Sequence, residues 1–284
     1  MGPPMHIRRL DPQDLGLPRR RRGLDLAGSL PPSPRLAIVG ARAARRRWAE
    51  LVPTLVDVAA RRGFSVISGG ALGIDTAVHR AALALDVPQL AILPAAVDRP
   101  YPPGNAALFA AIAAHPSSGV AYVLRPGESP SRGLFAGRNS FVVALSAAVV
   151  VVQAGLRSGS IGSGRLALKQ RRPLAALLGT PGCAALVGEG ARAIATTSAA
   201  SVAAAIDAWL TDPSAPPVED PWPPHLRDLE SALDRAGERG LAIDDLDDPL
   251  SGLIALTEAE SLDLVVEVGG GRYIRRDRPS PQNP

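Results

Sequence analysis

Six short, continuously apolar runs recur between residues 36 and 178, and stretches of helical length separate most of them. They read LAIVG (36–40), FSVIS (64–68), QLAIL (89–93), GVAYVL (119–124), AVVVVQ (148–153) and PLAALL (173–178). A strand without polar alternation is buried on both faces, and two buried faces require helices above and below the sheet. Parallel strands also need a crossover of a dozen or more residues, which helical segments supply. The pattern predicts helices near 44–62, 74–85, 105–114, 139–147, 164–171 and 199–210, with Pro53 placed to kink or restart the first. The expected fold class is α/β with a mainly parallel sheet.

The run TDPSAPPVEDPWPP (211–224) cannot continue a helix, because its prolines favour extended backbone, and it marks a boundary. Beyond it a helix, a polar turn, an apolar-periodic segment and two β runs joined by glycines suggest a small winged-helix-like domain. The expected division is a basic extension at 1–34, an α/β domain at 35–210, a linker at 211–224, the small domain at 225–276 and a tail at 277–284. Charge divides the same way: residues 1–48 hold 11 Arg against three Asp, whereas residues 219–284 hold seven basic against 15 acidic side chains. A basic front supplies the counterion-release term of nucleic-acid binding, and an acidic module opposes it. Compositional bias is the competing explanation, since 30 of the 31 basic residues are Arg.

The lone Cys183 has no CxxC or His/Cys companion, so no disulfide framework or metal site is expected. The longest apolar run, FVVALSAAVVVV (141–152), is short of a membrane span. A cytoplasmic protein with no membrane association is therefore expected.

In open parallel sheets, ligands bind beyond the carboxyl ends of the strands, where glycine loops and helix N-termini attract anions. Four stretches fall there. VGAR holds Gly40 and Arg42; SGGALGID holds Ser68, Gly69, Gly70, Gly73 and Asp75; GRN supplies Arg138 and Asn139. The fourth, RSGSIGSGR, supplies Ser158, Gly159, Ser160 and Arg165. One such loop is ordinarily a tight turn. Four together point to an elongated phosphate-bearing ligand. Asp98, Tyr101 and Asn105 lie in DRPYPPGN, where turn chemistry accounts for them, with Tyr101 able to stack on a base. His79 reads as a packing residue, and Cys183 as a small buried one.

These motifs, in this order, resemble the DNA processing protein A (DprA/Smf) family, whose core typically reads VGSR, SGLARGIDAAAH, YPPEN, RRNRIISGLS and RSGSLITARLALEQ. The counterparts here are VGAR, SGGALGIDTAVH, YPPGN, GRNSFVVALS and RSGSIGSGRLALKQ, spread over about 36–194. The resemblance implies a Rossmann-like domain that binds single-stranded DNA, forms a homodimer and helps load RecA recombinase during natural transformation. It implies neither catalysis nor a cofactor, and it places the residues named above in the DNA pocket. The chain departs from the pattern at Ala41, at Leu72, at Ser140 and around Gly182–Ala184, and two of these positions ordinarily carry arginine. Weaker DNA binding is expected, or compensation from the N-terminal arginines.

In the small domain the segment 250–261 stands where a duplex-reading helix would lie, yet it has Glu258 and Glu260 and no Lys or Arg. Only the wing end, Arg272, Arg275 and Arg276, suits phosphate. A partner-binding or dimer-supporting module is expected. Two other functions stay open. One is a nucleoside monophosphate phosphoribohydrolase of the LOG type, whose catalytic glutamate would be sought near Arg165; the other is a nucleotide-binding adaptor.

Overall fold

The computed structural model describes residues 7–19, 21–128, 134–214, 226–261 and 264–275. Most of the expected linker, Arg276 and the tail lie outside them. The chain divides into two compact units, Met1–Pro217 and Val218–Pro284.

The first unit begins with β1 (Ile7–Leu10), β2 (Leu24–Gly28) and β3 (Arg35–Val39), then α1 (Arg46–Glu50) and α2 (Val52–Arg61). It continues with β4 (Ser65–Ser68), α3 (Ile74–Ala84), β5 (Gln89–Leu93), α4 (Ala106–Ala114), β6 (Gly119–Tyr122) and α5 (Leu134–Ala144). It ends with β7 (Ala148–Val151), α6 (Gly159–Lys169), β8 (Leu174–Leu177), α7 (Pro181–Gly188), β9 (Arg192–Ile194) and α8 (Ala199–Thr211).

All these strands join one sheet in the order β1-β2-β6-β5-β4-β3-β7-β8-β9. From β6 to β9 every pairing is parallel; β2 runs antiparallel to β6, and β1 antiparallel to β2. The α/β expectation with a mainly parallel sheet holds. Successive side chains of each strand serve opposite cores. Leu36 and Ile38 pack with Val52, Leu55, Val78 and Ile206 from α2, α3 and α8, while Ala37 and Val39 pack on the other face with Phe141, Ile161 and Leu186 from α5, α6 and α7. Leu51 separates α1 from α2, and Pro53 lies in the first turn of α2, where its missing N–H costs no bond.

The basic extension expected at 1–34 is in part sheet, since β1 and β2 form its antiparallel edge. Leu24, Leu26 and Ala27 are fully buried, and Arg9 pairs with Asp25 at 2.7 Å. The edge strands carry charged residues, Arg8 and Arg9 in β1 and Asp25 in β2, so they lack the continuous apolar signature of the central six. Helix α6 begins at Gly159, five residues ahead of its expected start. The Ser158 hydroxyl accepts the Ile161 N–H at 3.4 Å, a cap that starts the helix in residues of low propensity.

The second unit comprises α9 (Arg227–Ala236), β10 (Leu241–Ala242), α10 (Pro249–Ser261), β11 (Val265–Gly269) and β12 (Arg272–Arg275). Its three strands form an antiparallel sheet in the order β10-β12-β11. Leu229, Leu233, Leu256, Ala259 and Val265 make its core. The wing-end arginines expected to suit phosphate are held by acidic neighbours: Arg272 by Asp245 at 3.3 Å, and Arg275 by Asp234 at 2.7 Å and Glu230 at 3.2 Å. On α10, Leu250, Leu253 and Ile254 are exposed. Among the described residues, no helix is long and apolar enough to cross a membrane.

Candidate nucleic-acid interface

The strand order changes direction at β3, which has β4 on one side and β7 on the other. Crevices at such a point, beyond the carboxyl ends of the strands, are where open α/β sheets hold ligands. A pocket of about 150 Å3 lies over the ends of β3, β4 and β5. Arg42 follows β3, Gly69, Ala71 and Leu72 follow β4, and Pro94, Tyr101 and Pro102 follow β5; Arg138 closes the pocket from α5. Drug-sized ligands need roughly 300 Å3 or more. This pocket therefore suits one small group, such as a base or a phosphate.

Arg138 is 5% exposed and Asp75 4%, and their closest charged atoms are 3.8 Å apart. The Arg138 Nη1 also donates to the Ile92 carbonyl at 3.3 Å, while its buried Nε–H has no hydrogen-bond partner among the described residues. Burial pushes the Asp75 carboxyl above its ordinary range, against the opposing pull of Arg138 and of the Ala71 N–H. Burial also lowers the affinity of Arg138 for its proton, with attraction to Asp75 acting the other way and repulsion from Arg42 adding to the loss. Both members of the pair thus lose more to desolvation than they gain from each other. Two cations converge on the pocket, and an incoming anion would relieve their repulsion.

The glycines of the β4–α3 loop serve the protein's own packing. A side chain at Gly69 would meet the Arg138 guanidinium at 1.5 Å; at Gly70, Leu93 at 2.3 Å; at Gly73, the Ala41 carbonyl at 2.3 Å. Gly70 and Gly73 also have positive φ, +68° and +82°. A side chain at Gly40 would strike Ile74 at 2.6 Å. The loops after β3 and β4 are thereby pressed together, and the Ile74 N–H donates to the Ala41 carbonyl at 3.2 Å. The Ser68 hydroxyl donates to the Ile38 carbonyl at 2.7 Å.

The loop after β5 is fastened by Asn105, which the sequence assigned to turn chemistry alone. It is buried, and its Nδ2 donates to the Gly70 carbonyl at 3.2 Å and to Thr76 Oγ1 at 2.7 Å. The loop it fastens carries Tyr101, 47% exposed, which lines the pocket with Leu72, 52% exposed. His79 is fully buried with its Nδ1 2.7 Å from Gln89 Oε1, and burial above all holds its pKa down at about 4.

Asn139, Ser158, Gly159, Ser160 and Arg165 are not in the pocket's lining. Asn139 reaches from α5 to the N-terminus of α6, donating to the Gly159 carbonyl at 3.3 Å. Ser158 Oγ lies 3.0 Å from Ser160 Oγ and donates to the Gly155 carbonyl at 2.8 Å. Arg165 is held by Glu189 at 2.7 Å. Sequence reasoning overlooked Pro94 and treated Leu72 only as a missing arginine; the prolines flanking Tyr101 were the available signal for a wall.

Fold and pocket together define a doubly wound α/β protein with a cationic pocket beside its switch point. The chain belongs to the DNA recombination-mediator protein A family, whose sequence model matches residues 25–207. A Mycobacterium tuberculosis protein assigned to DprA is 40% identical over 165 residues, which are 56% of this chain and 42% of the relative. The DNA processing protein DprA of Streptococcus pneumoniae is 32% identical over 167 residues, 57% of this chain and 58% of the relative. The chain thus matches well under two thirds of the length of these relatives. Among solved structures, the DNA processing protein A of Helicobacter pylori, determined for its single-stranded DNA binding mode, superposes with a TM-score of 0.61 and 28% identity. That match covers 74% of this chain and 98% of the other.

Proposed function

We propose that this protein binds single-stranded DNA across the carboxyl edge of its sheet and acts, without catalysis, as a recombination mediator that helps load RecA recombinase. The observation that carries the reading is the convergence of Arg42 and Arg138 on one small pocket that also offers Tyr101 and Leu72. Cationic groups take phosphates, and apolar or aromatic surfaces take unpaired bases, which a duplex keeps stacked. Family membership and the subject of the Helicobacter pylori structure support the same ligand.

Gly40, Ser68, Gly69, Gly70 and Gly73 shape the wall, Asp75 orients Arg138, and Asn139 with Ser158, Gly159 and Ser160 extends the surface toward α6. Arg165, committed to Glu189, contributes through that ion pair. The position on α6 where a phosphoribohydrolase's glutamate would be sought carries Arg165, which supports a binding role. We assign the second unit to the winged-helix class on its order of helices and hairpin. Its acid-held arginines and the exposed apolar face of α10 favour a protein partner or a homodimer contact over duplex DNA.

The test is a salt-resolved gel shift. The protein should retard an oligo-dT strand more than a duplex of equal length, with affinity falling steeply as salt rises. Equal retardation of both, or none at low salt, refutes the reading. RecA loading is tested by displacement of a single-strand-binding protein by RecA, and dimerisation by light scattering.

A further inference from the structure

The strand register carries the N-terminal arginines to the same edge of the sheet as the pocket. Asp25 at the start of β2 pairs with Tyr122, the last residue of β6, so the residues just before β2 lie beyond the carboxyl end of the parallel strands. Three arginines of this segment have described partners, and they differ. Arg9 is paired with Asp25 at 2.7 Å and Arg22 with Glu128 at 2.6 Å. Arg21 has no acidic partner among the described residues. Its guanidinium instead lies over the Phe141 ring, 5.7 Å from the centroid, and its Nη1 donates to Ser140 Oγ at 3.1 Å and to the Ser140 carbonyl at 3.3 Å.

Ser140 stands two residues beyond Arg138 on α5, at one of the positions where the resemblance leads one to expect an arginine. A guanidinium has five N–H donors, and the contacts to Ser140 use only those on Nη1. The Nε and Nη2 donors make no bond to a described residue, and the aromatic face fixes the plane of the group without neutralising it.

We propose that Arg21 supplies, from the N-terminal segment, the phosphate contact that Ser140 cannot make, and so extends the cationic track from the Arg42–Arg138 pocket along α5 toward β2. Its ligand is a backbone phosphate of the strand leaving the pocket. This inference rests on the single-stranded DNA reading. It also gives the basic front of the chain a specific task, in place of diffuse attraction.

Fluorescence anisotropy of a labelled oligo-dT strand, measured over a salt series with the full chain, tests it. Compared are wild type, Arg21→Ala and the double variant Arg21→Ala/Ser140→Arg. Each phosphate contact on a single strand contributes about 0.7 to the slope of log affinity against log salt. Arg21→Ala should lower the slope by about that amount, and Ser140→Arg in that background should restore it. A reduced folded fraction would scale affinity at every salt concentration alike and leave the slope in place. Wild-type binding with an unchanged slope in Arg21→Ala overturns the inference alone, as does failure of Ser140→Arg to restore the slope. Absence of wild-type binding overturns the DNA reading and this inference with it.

Discussion

Gly69→Ala tests whether the buried arginine of the pocket is the DNA-binding cation. The added Cβ would lie 1.5 Å from Arg138 Nη1, 2.4 Å from its Cζ and 2.7 Å from Asp75 Oδ2. Contacts that short do not exist, so the guanidinium must move. Gly69 is not among the glycines with positive φ, and the cost is therefore steric, without backbone strain. Overpacking by one methyl in a tight site costs about 1–3 kcal/mol. For a unit of this size each kcal/mol lowers Tm by about 2–4 °C. The displaced Arg138 loses its place beside Asp75 and at the pocket, so the salt slope of oligo-dT binding should fall by about 0.7, the contribution of one phosphate contact. Differential scanning calorimetry gives the first quantity and salt-resolved anisotropy the second. A variant that melts several degrees lower yet keeps the wild-type slope would refute Arg138 as a phosphate ligand and leave it a structural ion-pair partner.

Asp75→Asn leaves Arg138 buried with a neutral neighbour, and should cost about 3–5 kcal/mol by denaturant unfolding; a loss below about 1 kcal/mol would mean that water already solvates the pair. His79 gives a pH signature. Its native pKa of about 4 lies below the ordinary 6.5, so between those values the unfolded chain binds a proton that the native state refuses. Stability should fall as pH drops through that window, by about 3 kcal/mol in all, and His79→Gln should flatten this part of the profile relative to wild type. Asp75, whose pKa is raised, acts in the opposite sense: it costs stability as pH rises from its unfolded value toward its native one. Leu72→Arg should steepen the salt slope by about 0.7 while weakening the preference for dT over an abasic strand; a slope that stays at the wild-type value would place residue 72 off the DNA path.

The central strands were legible because burial on both faces leaves them mostly apolar, with polar residues such as Ser65, Ser68 and Gln89 confined to their ends. Predicted and observed bounds differ by at most two residues at an end, and 89–93 coincides with β5. What escaped shares one property: its stability comes from tertiary pairing. In β1 the sequence IRRL is half charged, and it is a strand because Arg9 meets Asp25 across the ladder. β9, Arg192–Ile194, has only Ile194 buried. Helix α7 starts at Pro181 and turns Cys183 and Leu186 into the core, yet its eight residues, PGCAALVG, carry too little periodicity to announce it.

At the site, Arg42, Gly69 and Arg138 of the expected residues line the pocket, and the glycines of these loops have a packing role that the sequence alone does not show. Glycine after a strand reads as room for a ligand's close approach, and at Gly40, Gly69, Gly70 and Gly73 the protein's own atoms also press against the position. Apart from Gly69, the pocket is lined by residues other than these glycines: Arg42, Ala71, Leu72, Pro94, Tyr101, Pro102 and Arg138. A glycine-rich loop is thus informative about assembly before it is informative about binding. Close packing of the β3 and β4 loops lets Arg138 reach from α5 to the pocket while nearly fully buried, and a cation held against desolvation gains more from one phosphate than an exposed arginine would. The same reasoning separates the arginines of this chain. Arg22, Arg165 and Arg275 are in close contact with a carboxylate at 2.6–2.7 Å, whereas Arg138 stands 3.8 Å from Asp75 with its Nε–H unbonded among the described residues, and Arg21 is stacked on Phe141 with no acidic partner among them. Counting basic residues therefore overstates the electrostatic footprint, and the ion-pair pattern is what selects the positions where substitution should change the salt slope.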